Sequence, residues 1–311
     1  MIIHPEELTY RQIDLIAGAG VNVLGIHPVG GKDASISLSN LVKSFRDVSF
    51  RDKIDYAHQR GLEIEYEAHA AGYLMPRDLF DKHPEYFRKN AIGERTDDWN
   101  FCISNNDALS LFSKNAAELA TSLYGSSNVF YFWLDDGWDT YCHCEKCSAF
   151  TPSEQQLIAT NAMLEEIKKK IPNAKLSYLA YCGSMTPPKK VKPVKDIFLE
   201  YAPFAKYTAK GDDAKEKIRA ELDMLQPLVD LFGKDDSKIL EYWYDNSLFS
   251  GWKKPPKEFI PDEEAMKKDI EFFYGFGFEK ISTFACFLGE DYVKLYGEPD
   301  FEKFGDCFKD K

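Results

Sequence analysis

Short apolar runs alternate with polar loops and longer amphipathic stretches along most of the chain. Eight runs rich in β-branched or aromatic residues predict strands at Met1–His4, Asn22–His27, Glu63–His69, Val129–Asp135, Lys175–Tyr181, Ile197–Ala202, Lys238–Tyr244 and Lys280–Ala285. Helical spacing of apolar residues predicts helices over Ser49–Arg60, Asp107–Tyr124, Ser153–Ile171, Asp213–Leu231 and Asp262–Phe276. Strands that alternate with helices in this way predict an α/β fold, a (β/α)8 TIM barrel, and we expect a single domain over residues 1–311.

Polar and ionisable side chains stand where the predicted strands end. In such barrels the chemistry lies at the carboxyl ends of the strands. His27, His69, Tyr181 and Asp245 occupy such positions, as does the carboxylate pair discussed below. Two loops on this face are unusually long, one over about residues 70–106 and a cysteine-rich one over about residues 137–152. Loops of that length are usually functional.

Two of the strands carry charged residues at alternate positions. The third strand, LEIEYEAHA, has on one face Glu63, Glu65, Glu67 and His69. We expect that face to point into the barrel, where a carboxylate needs a partner or a substrate. The strand ILEYWYD similarly puts Glu241, Trp243 and Asp245 on one face. An internal network with Lys or Arg and a ligand-facing role are both open for these acids.

Two adjacent carboxylates, Asp135 and Asp136, end the fourth strand and precede Gly137. Side chains of neighbouring residues diverge, so one acid can donate a proton while the other stabilises a charged intermediate. Like charges this close raise the pKa of one of them, which keeps an acid protonated near neutral pH. Hydrolysis of glycosides uses such a pair. The structural alternative is a turn cap at Asp135 and a solvated Asp136.

Three cysteines follow in the spacing C-x-C-x-x-C, at Cys142, Cys144 and Cys147. Thiolates at these positions can converge on one tetrahedral zinc ion, which needs a fourth ligand. The candidates for that ligand are His143, Cys102 and Cys182. A sulfur-rich site of this kind predicts a structural zinc rather than one that activates water. A disulfide plus a free thiol, and three unliganded thiols, are the alternatives.

The composition of the chain bears on which partners it can bind and in which compartment it works. The net charge of −12 disfavours binding to a phosphate backbone, so we expect no nucleic acid. No apolar run approaches the ~18 residues of a membrane span. The start, MIIHPEELTYRQ, lacks the features of a signal peptide, which predicts a cytoplasmic protein, or a secreted one if a leader has been removed. Seven cysteines fit a reduced compartment or a metal site.

Several motifs taken in order resemble a known family. They are HPEYF, G-x-R, FCISN, a strand ending in Asp, C-x-C-x-x-C and EYWYD, and they span about Leu79 to Asp245. The set resembles the uncharacterised-domain family 4838. That group includes glycoside hydrolase family 163, endo-β-N-acetylglucosaminidases that act on complex N-glycans. The resemblance implies a glycosidase-like TIM barrel with a carbohydrate substrate and no cofactor required for catalysis.

The resemblance also implies roles for individual residues. Related N-acetylhexosaminidase barrels place an acidic pair at the end of the fourth strand and use the acetamido group of the substrate as nucleophile. Carried over, Asp135 would orient the acetamide and Asp136 would be the general acid. Many such enzymes have Glu in the acid position, and Glu241 or Glu67 is the alternative acid. We expect the substrate to be bound by His27, Glu67, His69, Arg95, Trp138, Tyr181, Trp243 and Asp245.

Two rival hypotheses remain open from the sequence. One is a non-catalytic carbohydrate-binding barrel that kept the groove and lost the acid. The other is a zinc-dependent hydrolase that uses the cysteine cluster, with Cys102 among its ligands. The main hypothesis is a glycoside hydrolase acting on β-N-acetylhexosaminides or N-glycan-type oligosaccharides.

Overall fold

The computed structural model describes residues 1–135, 137 and 139–309. Eight strands form one sheet in the order of the chain, and every neighbouring pair is parallel. Their bounds are β1 Ile2–Ile3, β2 Val23–Ile26, β3 Glu63–His69, β4 Val129–Trp133, β5 Lys175–Ala180, β6 Ile197–Tyr201, β7 Lys238–Glu241 and β8 Lys280–Thr283. A parallel bridge between Ile2 and Phe284 joins the first strand to the last, so the predicted TIM barrel is confirmed.

Helices follow the strands and cover the outside of the barrel. They are α1 Tyr10–Gly18, α2 Ala34–Ser44, α3 Val48–Gln59, α4 Ala71–Leu74, α5 Asn106–Ser122, α6 Pro152–Lys170, α7 Ala205–Thr208, α8 Ala214–Leu222, α9 Leu225–Phe232, α10 Asn246–Phe249, α11 Glu263–Gly275, α12 Glu290–Tyr296 and α13 Glu302–Asp306. Within the described ranges, none of them has the length and apolar character that crossing a bilayer requires.

The helix predicted over Asp213–Leu231 is two helices in the structure, with a break between Leu222 and Leu225. Pro227 lies in the first turn of α9, where its missing N–H leaves no intrahelical bond unmade. One continuous helix would have put Pro227 in its interior, where the ring clashes with the preceding turn. The proline therefore sets the start of a new helix at this point.

The interior of the barrel holds a charged cluster, which we call the interior network: Glu65, Glu67, Tyr131, Glu200 and Lys238. The ammonium of Lys238 lies 3.0 Å from Glu67, 3.1 Å from Glu200 and 3.5 Å from Glu65. It also lies 3.8 Å from the centre of the Tyr131 ring. The inward face of β3 is thus acidic, as predicted, and its carboxylates share a buried lysine.

The seventh strand contradicts one expectation. Leu240 and Tyr242 face the inside of the barrel, so Glu241 and Trp243 face the helices. Glu241 accepts hydrogen bonds from Lys206 at 2.6 Å and Tyr207 at 2.8 Å. The indole N–H of Trp243 donates to Asp269 of α11 at 2.8 Å, also between the strand and the surrounding helices. The expectation that Glu241 and Trp243 face the substrate together with Asp245 is wrong. The alternative of an ion pair with a lysine describes Glu241.

Candidate functional site

A pocket of about 440 Å³ opens at the carboxyl end of the barrel. We call it the carboxyl-end pocket. Each strand, or the residues just after it, contributes a ring to its wall, in chain order His4, His27, His69, Trp133, Tyr181, Phe204, Tyr242 and Phe284. The volume lies in the range of small-molecule sites. Aromatic walls of this kind suit the apolar faces of sugar rings.

Three imidazoles line one side of this pocket. The Nδ1 atoms of His4, His27 and His69 lie 2.9, 2.7 and 2.8 Å from the backbone carbonyls of His27, Glu67 and Leu134. A carbonyl oxygen only accepts, so each Nδ1 carries the proton in these bonds. Burial, reinforced by the neighbouring His4 and His69, holds the pKa of His27 well below its usual value. His27 is therefore neutral at pH 7, and its Nε2 is an acceptor.

Asp245 supplies a carboxylate to the same pocket. It precedes α10 and accepts hydrogen bonds from the Ser247 hydroxyl at 2.5 Å, the Ser247 N–H at 3.1 Å and the Leu248 N–H at 3.3 Å. Its side chain is held in one orientation by these contacts. Burial raises the pKa of Asp245, although the hydrogen bonds from Ser247 and Leu248 oppose that shift. A hydroxyl-rich ligand would find here a fixed acceptor beside the imidazoles.

Trp252 lies at the mouth of the pocket and keeps 65% of its surface exposed. Exposure to water forfeits the burial free energy of the ring, which a bound ligand could restore. Phe287, from the segment after β8, lines the pocket nearby. The rim therefore offers a stacking platform for a ligand that extends out of the barrel.

The fourth strand ends next to this pocket through Trp133, and Asp135 follows two residues later. Asp135 is 9% exposed and accepts from Arg77 at 3.1 Å. The same guanidinium donates to the carbonyl of Trp99. The Asp135 N–H donates to the amide oxygen of Asn100 at 2.9 Å, and the Asn100 amide donates to Thr140 at 3.1 Å. The long loop after β3 thus fixes the end of β4.

The structure brings together His27, His69, Tyr181 and Asp245, which were predicted to bind substrate, in the carboxyl-end pocket. Asp136 and Trp138, also predicted for the site, lie outside the described residues.

The remaining predicted residues have other surroundings. Glu67 belongs to the interior network, and burial raises its pKa to about 8 despite the attraction of Lys238. Glu241 and Trp243 pack against helices, as described above. Arg95 donates to the Phe87 carbonyl at 2.5 Å and lies beside the cysteines. Among the described residues, none of these four lines the carboxyl-end pocket.

Sequence reasoning missed His4 as a pocket residue. It stands one position after β1, as His27 stands one position after β2, and the two rings stack with centroids 5.9 Å apart. The shared strand-end position was the signal that could have revealed it. Phe204 and Phe284 gave no such signal, because a lone phenylalanine near a strand end is usual in any core.

A second feature lies at the base of the two long loops. The sulfur atoms of Cys102, Cys142, Cys144 and Cys147 all lie within 4.8 Å of one another, and we call them the four-cysteine cluster. The Cys102 sulfur is 3.7 Å from those of Cys144 and Cys147. Of the three candidates for a fourth member, the fold brings in Cys102. Gln155 of α6 anchors the loop, since its amide donates to the carbonyls of Cys142 and Cys147 at 3.1 and 3.2 Å.

The crowding of these thiols shifts their pKa values in opposite directions. Hydrogen bonds from Cys142 and Cys147 hold the pKa of Cys102 far below its usual range. The bond to Cys102 raises the pKa of Cys142 to about 11, and it raises that of Cys147 as well. The thiolate form of Cys102 is therefore stabilised by its neighbours.

Solved structures with the same architecture are glycosidases. The chain is similar to a β-galactosidase from the psychrophilic Marinomonas ef1, with TM-score 0.57 and 12% identity over 91% of this chain and 53% of that one. It is similar to a GH5 xyloglucan-specific endo-β-1,4-glucanase from a metagenomic library, with TM-score 0.53 and 11% identity over 96% and 88% of the two chains. These likenesses show the fold, a TIM barrel that glycosidases share.

A β-N-acetylhexosaminidase from Bacteroides fragilis also matches, with TM-score 0.47 and 13% identity over 79% of this chain and 51% of that one. This chain therefore spans about half the length of that protein. No curated protein matches the sequence. The chain belongs to the family described as a domain of unknown function, DUF4838, whose model matches residues 38–283. The family predicted from the motifs is thereby confirmed.

Proposed function

We propose that this protein is a glycoside hydrolase that acts on β-N-acetylhexosaminides or N-glycan-type oligosaccharides. The observation that carries the proposal is the carboxyl-end pocket, to which all eight strand ends contribute rings. Aromatic faces bind the C–H faces of sugars, while neutral imidazole nitrogens and a fixed carboxylate accept from hydroxyl groups. The similarity to glycosidase barrels and the acid pair after β4 support the same reaction class.

The proposed mechanism divides the work between adjacent carboxylates. Asp135, held by Arg77 and Asn100, would orient the acetamido group of the substrate. That oxygen attacks the anomeric carbon as the bond to the leaving oxygen breaks. Asp136 would give its proton to the leaving oxygen and then take one from the water that opens the cyclic intermediate. His27, His69 and Asp245 would hold the sugar hydroxyls.

The test is turnover of aryl N-acetyl-β-glucosaminides, aryl β-glucosides and N-glycoproteins by wild type, Asp135→Asn and Asp136→Asn. We expect Asp136→Asn to lose roughly 10²–10⁴-fold in kcat on N-acetylated substrates, the range of a general acid–base group. Asp135→Asn should also lower kcat on these substrates, because the acetamide would no longer be oriented. Aryl glucosides without the acetamide should not be cleaved. Asp139→Asn, an exposed change in the same loop, is the matched control and should keep wild-type turnover. Full activity in both pair variants would overturn the assignment.

A carbohydrate-binding barrel without catalysis is the second candidate. The observation that favours it is the set of described pocket residues, in which Asp245 is the carboxylate and Asp135 lies outside the wall. It predicts saturable binding of glycans with no turnover of the whole panel. In that case Trp252→Ala would weaken binding, whereas Asp136→Asn would leave affinity unchanged. Calorimetry on the same proteins separates this outcome from hydrolysis.

The zinc-dependent hydrolase is disfavoured by the donor set. Four sulfur ligands would complete a tetrahedral zinc and leave no position for a reacting water. The cysteines also lie outside the wall of the carboxyl-end pocket among the residues that the structure describes. Metal removal would therefore affect the chemistry only through the position of the loops.

A further inference from the structure

We propose that Cys102, Cys142, Cys144 and Cys147 bind one Zn²⁺ in a closed structural site. The ion would join the loop between β3 and α5, which carries Cys102, to the loop between β4 and α6, which carries the other three. The proposal does not depend on glycosidase activity, because it concerns how the loops are held and not what the pocket binds.

The sulfur spacing matches a single tetrahedral ion. With zinc–sulfur bonds of about 2.3 Å, two ligands at a tetrahedral angle are ~3.8 Å apart. The sulfur of Cys102 lies 3.7 Å from those of both Cys144 and Cys147, and all four sulfur atoms fall within 4.8 Å. A disulfide would need ~2.0 Å. An iron–sulfur cluster places iron and sulfide atoms between its ligands and needs a wider spacing than this.

The surroundings fit an anionic metal–thiolate centre. Four thiolates around Zn²⁺ carry a net charge of −2, which must be balanced in a largely buried place. The backbone N–H of Lys89 points at the Cys142 sulfur at 3.3 Å, and the Arg95 guanidinium lies 3.9 Å from the same atom. Such outer contacts orient ligands and stabilise the charge at metal sites. Arg95, which lies away from the pocket, would thus help to balance the negative charge of the thiolates.

The proposed zinc site lies close to the contacts that position Asp135. Cys102 is two residues from Asn100, whose side chain accepts from the Asp135 backbone and donates to Thr140. Cys142 is two residues beyond Thr140 in the other loop. An ion bound by both segments would hold Asn100 within hydrogen-bonding distance of Asp135 and Thr140. Each of these hydrogen bonds by itself is worth only about 1 kcal/mol, so an ion that joins both loops would strengthen the connection.

The first experiment measures metal in protein purified without chelators. Elemental analysis of wild type should give about one zinc per chain, and Co²⁺ substitution should give the sulfur-to-cobalt charge-transfer absorption of a tetrahedral thiolate site. Cys102→Ser and Cys144→Ser should each lose most of the bound zinc. Cys307→Ser is the matched control, because Cys307 is a buried cysteine outside the four-cysteine cluster, and it should keep the metal.

A second measurement, on wild type, tests the proposal in case the cysteine variants do not fold. Wild type is treated with a mercurial that displaces zinc from thiolates, while released zinc is read with a chromophoric chelator and folding by circular dichroism. We expect zinc release to accompany loss of protection from exchange at the amides of Cys102 and Cys142, with recovery after thiol and Zn²⁺ are restored.

Three results would overturn the proposal. One is wild type that holds no stoichiometric metal as purified and takes up none from Zn²⁺ after treatment with reductant. Another is five reactive thiols after denaturation without reductant, which would indicate a disulfide among the seven cysteines. The third is stoichiometric iron in place of zinc in protein from metal-replete cells.

Discussion

At the scale of single residues, Glu241 shows what burial does to an acid. It is completely buried, and burial raises its pKa from 4.5 to about 7, although the Lys206 ammonium partly opposes the shift. Its surroundings explain why an acid that sequence patterning put in the active site is a structural group. Lys206 and Tyr207 occupy both of its oxygens and tie β7 to α7.

Glu241→Gln should flatten the pH dependence of stability. A carboxyl whose pKa is higher in the folded state stabilises the fold fully below pH 4.5, and this contribution is lost as the pH rises through about 7. The shift corresponds to about 3 kcal/mol at most. Urea unfolding from pH 4.5 to 8 should therefore show wild type losing stability relative to the variant.

Glu279→Gln is the matched control for this change, since Glu279 is exposed on the surface, and it should follow wild type across the series. A wild-type curve parallel to that of Glu241→Gln would contradict the expected proton uptake at Glu241. Turnover by Glu241→Gln should stay near wild type at neutral pH, because the side chain does not face the pocket.

At the scale of elements, the first turn of α6 anchors the cysteine-rich loop. Thr151 and Glu154 form a capping box that starts this helix, and Glu154 also accepts from the N–H groups of Lys189 and Lys190. Gln155, one position further, accepts from the Cys142 N–H at 3.1 Å and donates to carbonyls of the same loop. The first turn of one helix therefore positions the cysteine-rich loop.

Gln155→Ala should loosen that loop without unfolding the barrel. The change leaves the buried N–H and C=O of Cys142 and the carbonyl of Cys147 without this partner, and an unpaired buried group costs about 1–3 kcal/mol. We expect a lower Tm and faster amide exchange at Cys142. Gln226→Ala on the exposed face of α9 is the control and should change Tm little. Unchanged exchange in Gln155→Ala would show that other contacts hold the loop.

At the scale of the whole molecule, the interior network links strands from opposite parts of the barrel. Glu65 and Glu67 come from β3, Glu200 from β6 and Lys238 from β7. The desolvated carboxylates are compensated chiefly by this lysine, and their attraction holds the pKa of Lys238 well above its usual value. The charge balance of the barrel therefore depends on contacts between residues that are far apart in the sequence.

Lys238→Met should destabilise the barrel strongly at neutral pH. Removing one partner of a buried ion cluster leaves uncompensated charge, which costs about 3–5 kcal/mol. The loss should be smaller at pH 5 than at pH 8, because Glu67, whose pKa burial raises to about 8, is protonated at the lower pH. Chemical denaturation at pH 5 and pH 8 measures both effects. Lys217→Met, which removes an exposed pair with Asp213, should cost under ~1 kcal/mol, and an equally small effect at Lys238 would contradict this account.

The sequence by itself determined the number, order and approximate bounds of the strands. Local periodicity sufficed, because each strand is a short apolar run and the helices between them repeat with their own period. The spacing of Cys142, Cys144 and Cys147 pointed to one cluster, because residues so close along the chain must lie close in space. The acidic face of β3 was readable because Ile64, Tyr66 and Ala68 leave only one side for the charges.

The tertiary structure decided what depends on residues distant in sequence. Both faces of β7 mix a charged group with apolar ones, so only its register against β6 and β8 shows that Lys238 points inward and Glu241 outward. Cys102, rather than His143 or Cys182, joins the other cysteines because the loop after β3 contacts the segment after β4 through Asn100. His4 reaches the pocket because the closing of the barrel brings β1 beside β8, and no local pattern encodes that contact.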